Sequence, residues 1–176
     1  MNSIEFDLAG FKKFEESLQK VKDDKDSLMS LKKDCLKPLA AIYIRTAKLN
    51  TPVGPRSVKY KMGNEVKTKR FNSERTRQSW ASGHLVVNNR EAIIEVYNTS
   101  RYASFLNDGH RQKIGQFLPW IGAEVDGVKQ GGRLVKGWVD GQYMTEKAED
   151  MVNRNARRVL NTAIRKWLEE RGLMND

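Results

Sequence analysis

Apolar residues along the first fifty positions fall at helical intervals. Leu8, Phe11, Phe14, Leu18 and Val21 recur every three or four residues, which places them on one stripe of a helix. Asp7 stands where a carboxylate accepts from the free N–H groups of a first turn, and Ile4 and Phe6 on either side of Glu5 predict a short strand ahead of it. The polar run Lys22-Asp23-Asp24-Lys25-Asp26 reads as a break or an exposed turn. A second stripe runs from Asp26 to Leu49 and comprises Leu28, Leu31, Cys35, Leu39, Ile42, Tyr43 and Ala47. Pro38 lies inside it and lacks a backbone donor, so a kink or a restart near Lys37 is expected. Asn50-Thr51-Pro52-Val53-Gly54-Pro55 ends the helix, since two prolines and a glycine in that window forbid continuation.

The period then changes. Val58, Tyr60 and Met62 alternate with polar residues, as do Val66 and Thr68 with lysines. Residues 54–78 are therefore either an extended hairpin turning at Gly63-Asn64 or a mobile loop. Trp80, Leu85, Val86 and Val87, the turn Asn88-Asn89-Arg90, and Ile93, Ile94, Val96 and Tyr97 make the best-defined hairpin of the chain. Tyr102 to Leu106 predicts a short helix or turn. A Gly-rich stretch, 115–132, encloses Phe117-Leu118-Pro119-Trp120-Ile121, and Leu134, Val135, Trp138 and Val139 suggest a further strand. From Thr145 to Arg171 a long amphipathic helix has Ala148, Val152, Ala156, Val159, Leu160, Ala163, Ile164 and Trp167 on its apolar face, Arg154, Arg157, Arg158 and Arg165 opposite, and Gly172 as its stop. The expected fold class is α+β: a small, mainly antiparallel sheet around residues 79–97, with a strand near 134–139, packed against N-terminal helices and a long C-terminal helix, with a long basic loop or hairpin. A chain of 176 residues is expected to form a single domain, 1–176.

Charge sharpens this picture at one place. The net charge is +10, and residues 54–78 hold eight Lys/Arg against Glu65 and Glu74, so that segment alone supplies +6. Basic segments meet nucleic acid or acidic protein surfaces. Tyr60 and Phe71 are too sparse for a base-stacking platform, and the acidic protein surface is the favoured partner. Arg56, Lys59, Tyr60, Lys61, Lys67, Lys69, Arg70 and Phe71 are the interface candidates here, joined by Phe117 and Trp120, since Trp and other aromatics anchor interfaces.

The chemistry needed for catalysis is not patterned into the chain. His84 and His110 have no partner at metal-ligand spacing, and no HExxH, CxxC, GxSxG or phosphate-binding glycine loop occurs. Asp108-Gly109-His110 pairs an acid with a base, but Asn-Asp-Gly is foremost a turn sequence. Cys35 is the one cysteine and sits among Leu31, Leu36 and Leu39, as a small hydrophobe does. The expectation is a non-enzyme with no cofactor and no metal. No apolar run approaches the roughly 18 residues of a membrane span, and no signal peptide is expected.

From Leu49 onward the order of short motifs resembles a known family. Leu49-Asn50-Thr51-Pro52-Val53-Gly54 closes a helix, Arg77-Gln78-Ser79-Trp80 opens the sheet, and Tyr97-Asn98, Tyr102-Ala103 and Phe105 to Gly109-His110-Arg111 follow the hairpin. Gly137-Trp138-Val139-Asp140-Gly141 and Tyr143-Met144 then precede the last helix. This order is similar to that of the small neck/tail-completion (minor tail component, head–tail joining) proteins of long-tailed double-stranded DNA phages and prophages. The resemblance implies a structural virion protein at the head–tail junction, made in the bacterial host cytoplasm. It implies a homo-oligomeric ring that touches head-connector and tail-tube or tail-terminator proteins, with DNA passing through its channel without sequence-specific binding and no membrane contact. The alternative left open by the charge is a basic DNA- or RNA-binding accessory protein.

Overall fold

The computed structural model describes Glu16, Gln19 and residues 24–71, 74–88 and 91–174. The strand and first helix expected between Ile4 and Val21 lie outside those residues, apart from Glu16 and Gln19. Helix α1 (Lys25–Asn50) starts where an Asp24 carboxylate oxygen accepts the Ser27 N–H at 2.9 Å, the capping arrangement that satisfies a first-turn donor. It runs through Pro38 as one helix, with no restart at Lys37. Proline gives up a single ladder bond, and Leu31, Cys35, Leu39, Ile42 and Tyr43 are partly covered on both sides of it, so packing of the stripe outweighs the local loss.

The basic segment is a hairpin. Strand β1 (Ser57–Met62) pairs antiparallel with β2 (Glu65–Arg70) from Ser57↔Arg70 to Met62↔Glu65, and Gly63 turns between them at φ +64, a left-handed conformation that costs glycine little. Helix α2 (Arg75–Gln78) leads into β3 (Trp80–Val87), which pairs with β4 (Ala92–Asn98). Both strands alternate covered and exposed positions, as a sheet with one packed face must. Helix α3 (Ala103–Asp108) and β5 (Gly109–Arg111) follow. The Gly-rich stretch folds as nested hairpins, with β6 (Phe117–Leu118) pairing β9 (Gly132–Arg133) and β7 (Glu124–Val125) pairing β8 (Val128–Lys129) inside them. Strand β10 (Trp138–Asp140) and helix α4 (Met144–Glu169) complete the described chain.

The α+β class is as expected, with a different sheet plan. The described strands form four small sheets in place of one, ordered β2-β1-β8-β7, β10-β5, β3-β4 and β6-β9. The strand anticipated near 134–139 is β10, and it pairs with β5, not with the 79–97 hairpin. Close backbone approach explains this choice: a Cβ on Gly141 would run into the Asn107 carbonyl, and one on Gly109 into the Val139 carbonyl. Two glycines let this crossing form where larger residues would hold the chains apart.

Packing divides the chain into two compact units. One comprises Met1–Ile42, Ser82–Glu95 and Met151–Asp176, and the other Tyr43–Ala81 and Val96–Asp150. In the first, the Trp167 indole N–H donates to the Ser27 hydroxyl at 2.9 Å, and the Arg171 guanidinium lies 4.5 Å from the ring centre. Trp167 is half-buried, so the end of the apolar stripe is a covered edge rather than a core. Cys35 is also half-buried, and burial together with the Asp34 carboxylate raises its thiol above the usual range. In the second unit the core consists of Ala47, Trp80, Met144 and Ala148, lined by Tyr43, Ile44, Val96 and Leu106.

Candidate functional site

The motifs that carry the family resemblance converge on the core of the second unit and lock it. The Thr51 hydroxyl donates to the Ala47 carbonyl at 2.7 Å and accepts the Trp80 indole N–H at 2.9 Å. Both Nε and Nη2 of Arg77 donate to the Thr51 carbonyl, at 3.1 and 2.6 Å. The Asn98 amide donates to the Thr76 carbonyl, and the Thr76 and Ser100 hydroxyls pair at 3.0 Å. The Asn107 side-chain oxygen accepts the Thr145 N–H while its amide donates to Asp108 and Glu146. Helix end, strand start and last-helix start are thus held by paired polar groups, of which Thr51, Thr76, Ser100 and Asn107 are buried.

His84 is exposed on β3, and the His110 ring packs edge-on to Phe105 at 5.9 Å. Asp108-Gly109-His110 is a backbone corner, with Gly109 at φ +84. Among the described residues no three His, Cys, Asp or Glu side chains group as a metal site, and no helix is long and apolar enough to cross a membrane.

Most of the interface candidates lie on one arm, because the basic hairpin and part of the Gly-rich stretch share a sheet. Strand β8 joins β1 in parallel at Tyr60↔Lys129 and ties the Gly-rich hairpins to the basic one. The register divides the hairpin into two faces. On the inner face Tyr60 meets Trp120 edge-on at 6.2 Å, and the Lys69 ammonium sits 3.2 Å from the Trp120 ring centre and 5.6 Å from that of Phe71. The alternating hydrophobes are partly consumed inside the chain, and Trp120 is a half-buried strut rather than a bare anchor. Phe117 is 54% exposed, with its ring over Gly131.

On the outer face Lys59, Lys61 and Arg70 are exposed, and no ion pair joins them to an acid among the described residues. Lys67, on the inner face, lies 3.6 Å from Glu65. Arg56 holds Glu74 at 2.8 Å at the base of the arm, where the Phe71 N–H also donates to the Arg56 carbonyl. The hydrogen bond and charge of Arg56 hold the Glu74 carboxyl below its ordinary range.

The same unit carries a surface of opposite sign that the sequence reading did not single out. Asp108 and Glu146 receive the same Asn107 amide, at 2.7 and 3.3 Å, and Glu149 lies one turn on from Glu146. All three are exposed. Hydrogen bonds from its own N–H, the Thr145 hydroxyl and the Asn107 amide keep Glu146 below the usual carboxylate range, which favours its charged form. The signal was the Glu146/Glu149 pair, which a helix dipole explains equally well.

A family model described as Bacteriophage HK97-gp10, putative tail-component, matches residues 12–109, more than half of the chain. No curated protein and no solved structure matches it. The match takes in α1, the basic hairpin, β3, β4 and α3, and ends where β5 begins.

Proposed function

This chain belongs to the HK97-gp10-like family of phage tail components, and from that membership we propose that it is a structural, non-enzymatic protein of the virion that completes the neck at the head–tail junction as one subunit of a ring. A closed ring requires a heterologous interface, in which one surface of a subunit meets a different surface of the next. The observation that supports this is the opposite charge of two surfaces on the second unit. The arm presents Lys59, Lys61 and Arg70, whereas Asp108, Glu146 and Glu149 gather around the start of α4.

In this reading the arm of one copy lies against the acidic patch of the next. Val66, which pairs with Lys61 on the outer face and is 58% exposed, supplies apolar area beside the charges. Trp120 braces the arm through Tyr60 and Lys69. Head-connector and tail-tube or tail-terminator proteins are the ring's neighbours above and below, and DNA passes through without sequence readout. Complementary charges set register and partner choice more than raw affinity.

The test is a charge swap followed by sedimentation, alone and with the neck complex. Lys59→Glu with Lys61→Glu, and separately Asp108→Lys with Glu149→Lys, each reduce assembly at least about tenfold, the equivalent of about 1.4 kcal/mol. Mixing the two variants restores it, since the reversed arm of one then faces the reversed patch of the other. Circular dichroism shows that each variant is folded. Failure of the mixture to recover, or a neck containing a single copy of the chain, overturns the proposal.

A further inference from the structure

Beyond the end of α1 the second unit carries a groove made of two concavities, of about 830 and about 400 Å³, which share Gly54, Thr76 and Tyr102. Its lining is mainly apolar: Pro52, Pro55, Phe71, Phe105 and Leu106 join Tyr102 there. Tyr102 and Phe105 stand three residues apart at the start of α3 and are 66% and 51% exposed. Hydrophobes scattered singly over a surface are ordinary, but several gathered around one concavity mark a face that another molecule covers. The charge of the groove is one-sided. Arg75 on α2 and Arg111 on β5 line it and are exposed, and no ion pair joins either to an acid among the described residues. No carboxylate lines either concavity.

We propose that the groove takes Ile4-Glu5-Phe6-Asp7-Leu8 of a second copy of the chain. Its occupant must fill an apolar centre and bring carboxylates to two unpaired arginines, the apolar-core and polar-rim arrangement of protein interfaces. Two arginines are too few to track a phosphate backbone, and the apolar lining offers phosphate nothing. Within the chain, three large apolar residues alternating with two acids occur at this segment alone, and no base stands among them. These five residues lie outside the described ones. In an extended segment Ile4, Phe6 and Leu8 share one face and Glu5 and Asp7 the other. The apolar face then enters the groove while the carboxylates stay at its mouth, where the long stem and forked head of arginine reach them. The proposal goes beyond the ring reading and does not rest on it: neither Lys59, Lys61 and Arg70 nor Asp108, Glu146 and Glu149 line the groove.

Fluorescence anisotropy tests it with a labelled peptide of residues 2–10 and the full chain carrying Phe6→Asp, whose own segment then does not compete. The peptide binds this chain. Phe6→Asp in the peptide, or Phe105→Ala added to the chain, weakens binding at least about tenfold, as loss of an interface anchor does. Arg75→Glu/Arg111→Glu in the chain weakens it too, and Glu5→Lys/Asp7→Lys in the peptide restores it, a rescue that a misfolded groove would not give. Sedimentation then separates exchange between copies from seating within one. It is run with Lys59→Glu/Lys61→Glu in both chains, so that the arm contact takes no part. A Phe6→Asp chain mixed with a Phe105→Ala chain forms a one-to-one dimer that neither forms alone. A peptide that does not bind, charge reversals that do not compensate, or a mixture that stays monomeric overturns the proposal and leaves the charge swap between arm and acidic patch free to succeed.

Discussion

Around Trp80 the second unit closes on buried partners: the indole is 6% exposed, its N–H ends on the Thr51 hydroxyl, and Tyr43 meets it edge-on at 6.3 Å. In the arm, Trp120 also has an aromatic neighbour, but an ammonium covers its face and neither β1 nor β2 contains a buried residue. The two tryptophans share a residue type and differ in what surrounds them. Burial makes the first expensive to disturb, because loss of a core ring combines transfer and cavity costs. The second is held by contacts that water partly replaces. A structure needed for folding and a surface free to meet another chain are thus separated within one unit.

Trp80→Ala gives the largest expected effect, about 3–5 kcal/mol of stability by denaturant unfolding. A loss below about 1 kcal/mol would place Trp80 with the arm and erase the contrast. Thr51→Val keeps the side chain's shape and removes its hydroxyl. It leaves the Trp80 N–H without its acceptor, and an unsatisfied buried donor costs about 1–3 kcal/mol. Thr51→Ser, which retains the hydroxyl, recovers most of that loss; equal damage from Val and Ser would show that methyl packing, not the hydrogen bond, holds the junction.

The sequence made the helices legible because period 3.6 survives any tertiary arrangement: the last helix, expected from Thr145, begins one residue earlier, at Met144. The 80–98 hairpin was equally plain from two apolar runs on either side of the Asn88-Asn89-Arg90 turn sequence. Pro38 misled, since local propensity carries no account of the packing that keeps α1 continuous. The pairing of β10 with β5 could not be read, because it rests on backbone approach at Gly109 and Gly141, residues that look like ordinary turn glycines. For the site, the basic arm stood out by charge density alone. That Tyr60 and Lys69 both turn toward Trp120, far along the chain, is a register property that sequence spacing does not encode. The arginines of α4 were visible as the polar side of an amphipathic helix.

The smallest effect is the one that defines the arm. Lys69→Met keeps an unbranched stem over the indole and removes the ammonium from its 3.2 Å seat above Trp120. A cation over an exposed or half-exposed aromatic ring contributes about 0.5–1 kcal/mol. Global unfolding would register little of this if the arm opens before the core does, since local units open with free energies below the global value. Amide hydrogen exchange resolves the two. Protection of the paired amides between Ser57 and Arg70 should fall about two- to fivefold, the rate equivalent of that energy, while amides of β3 and α4 keep their wild-type exchange. An equal loss of protection at Trp80 would mean that the arm and the core open together, so that the arm is part of the folding unit rather than a surface carried by it.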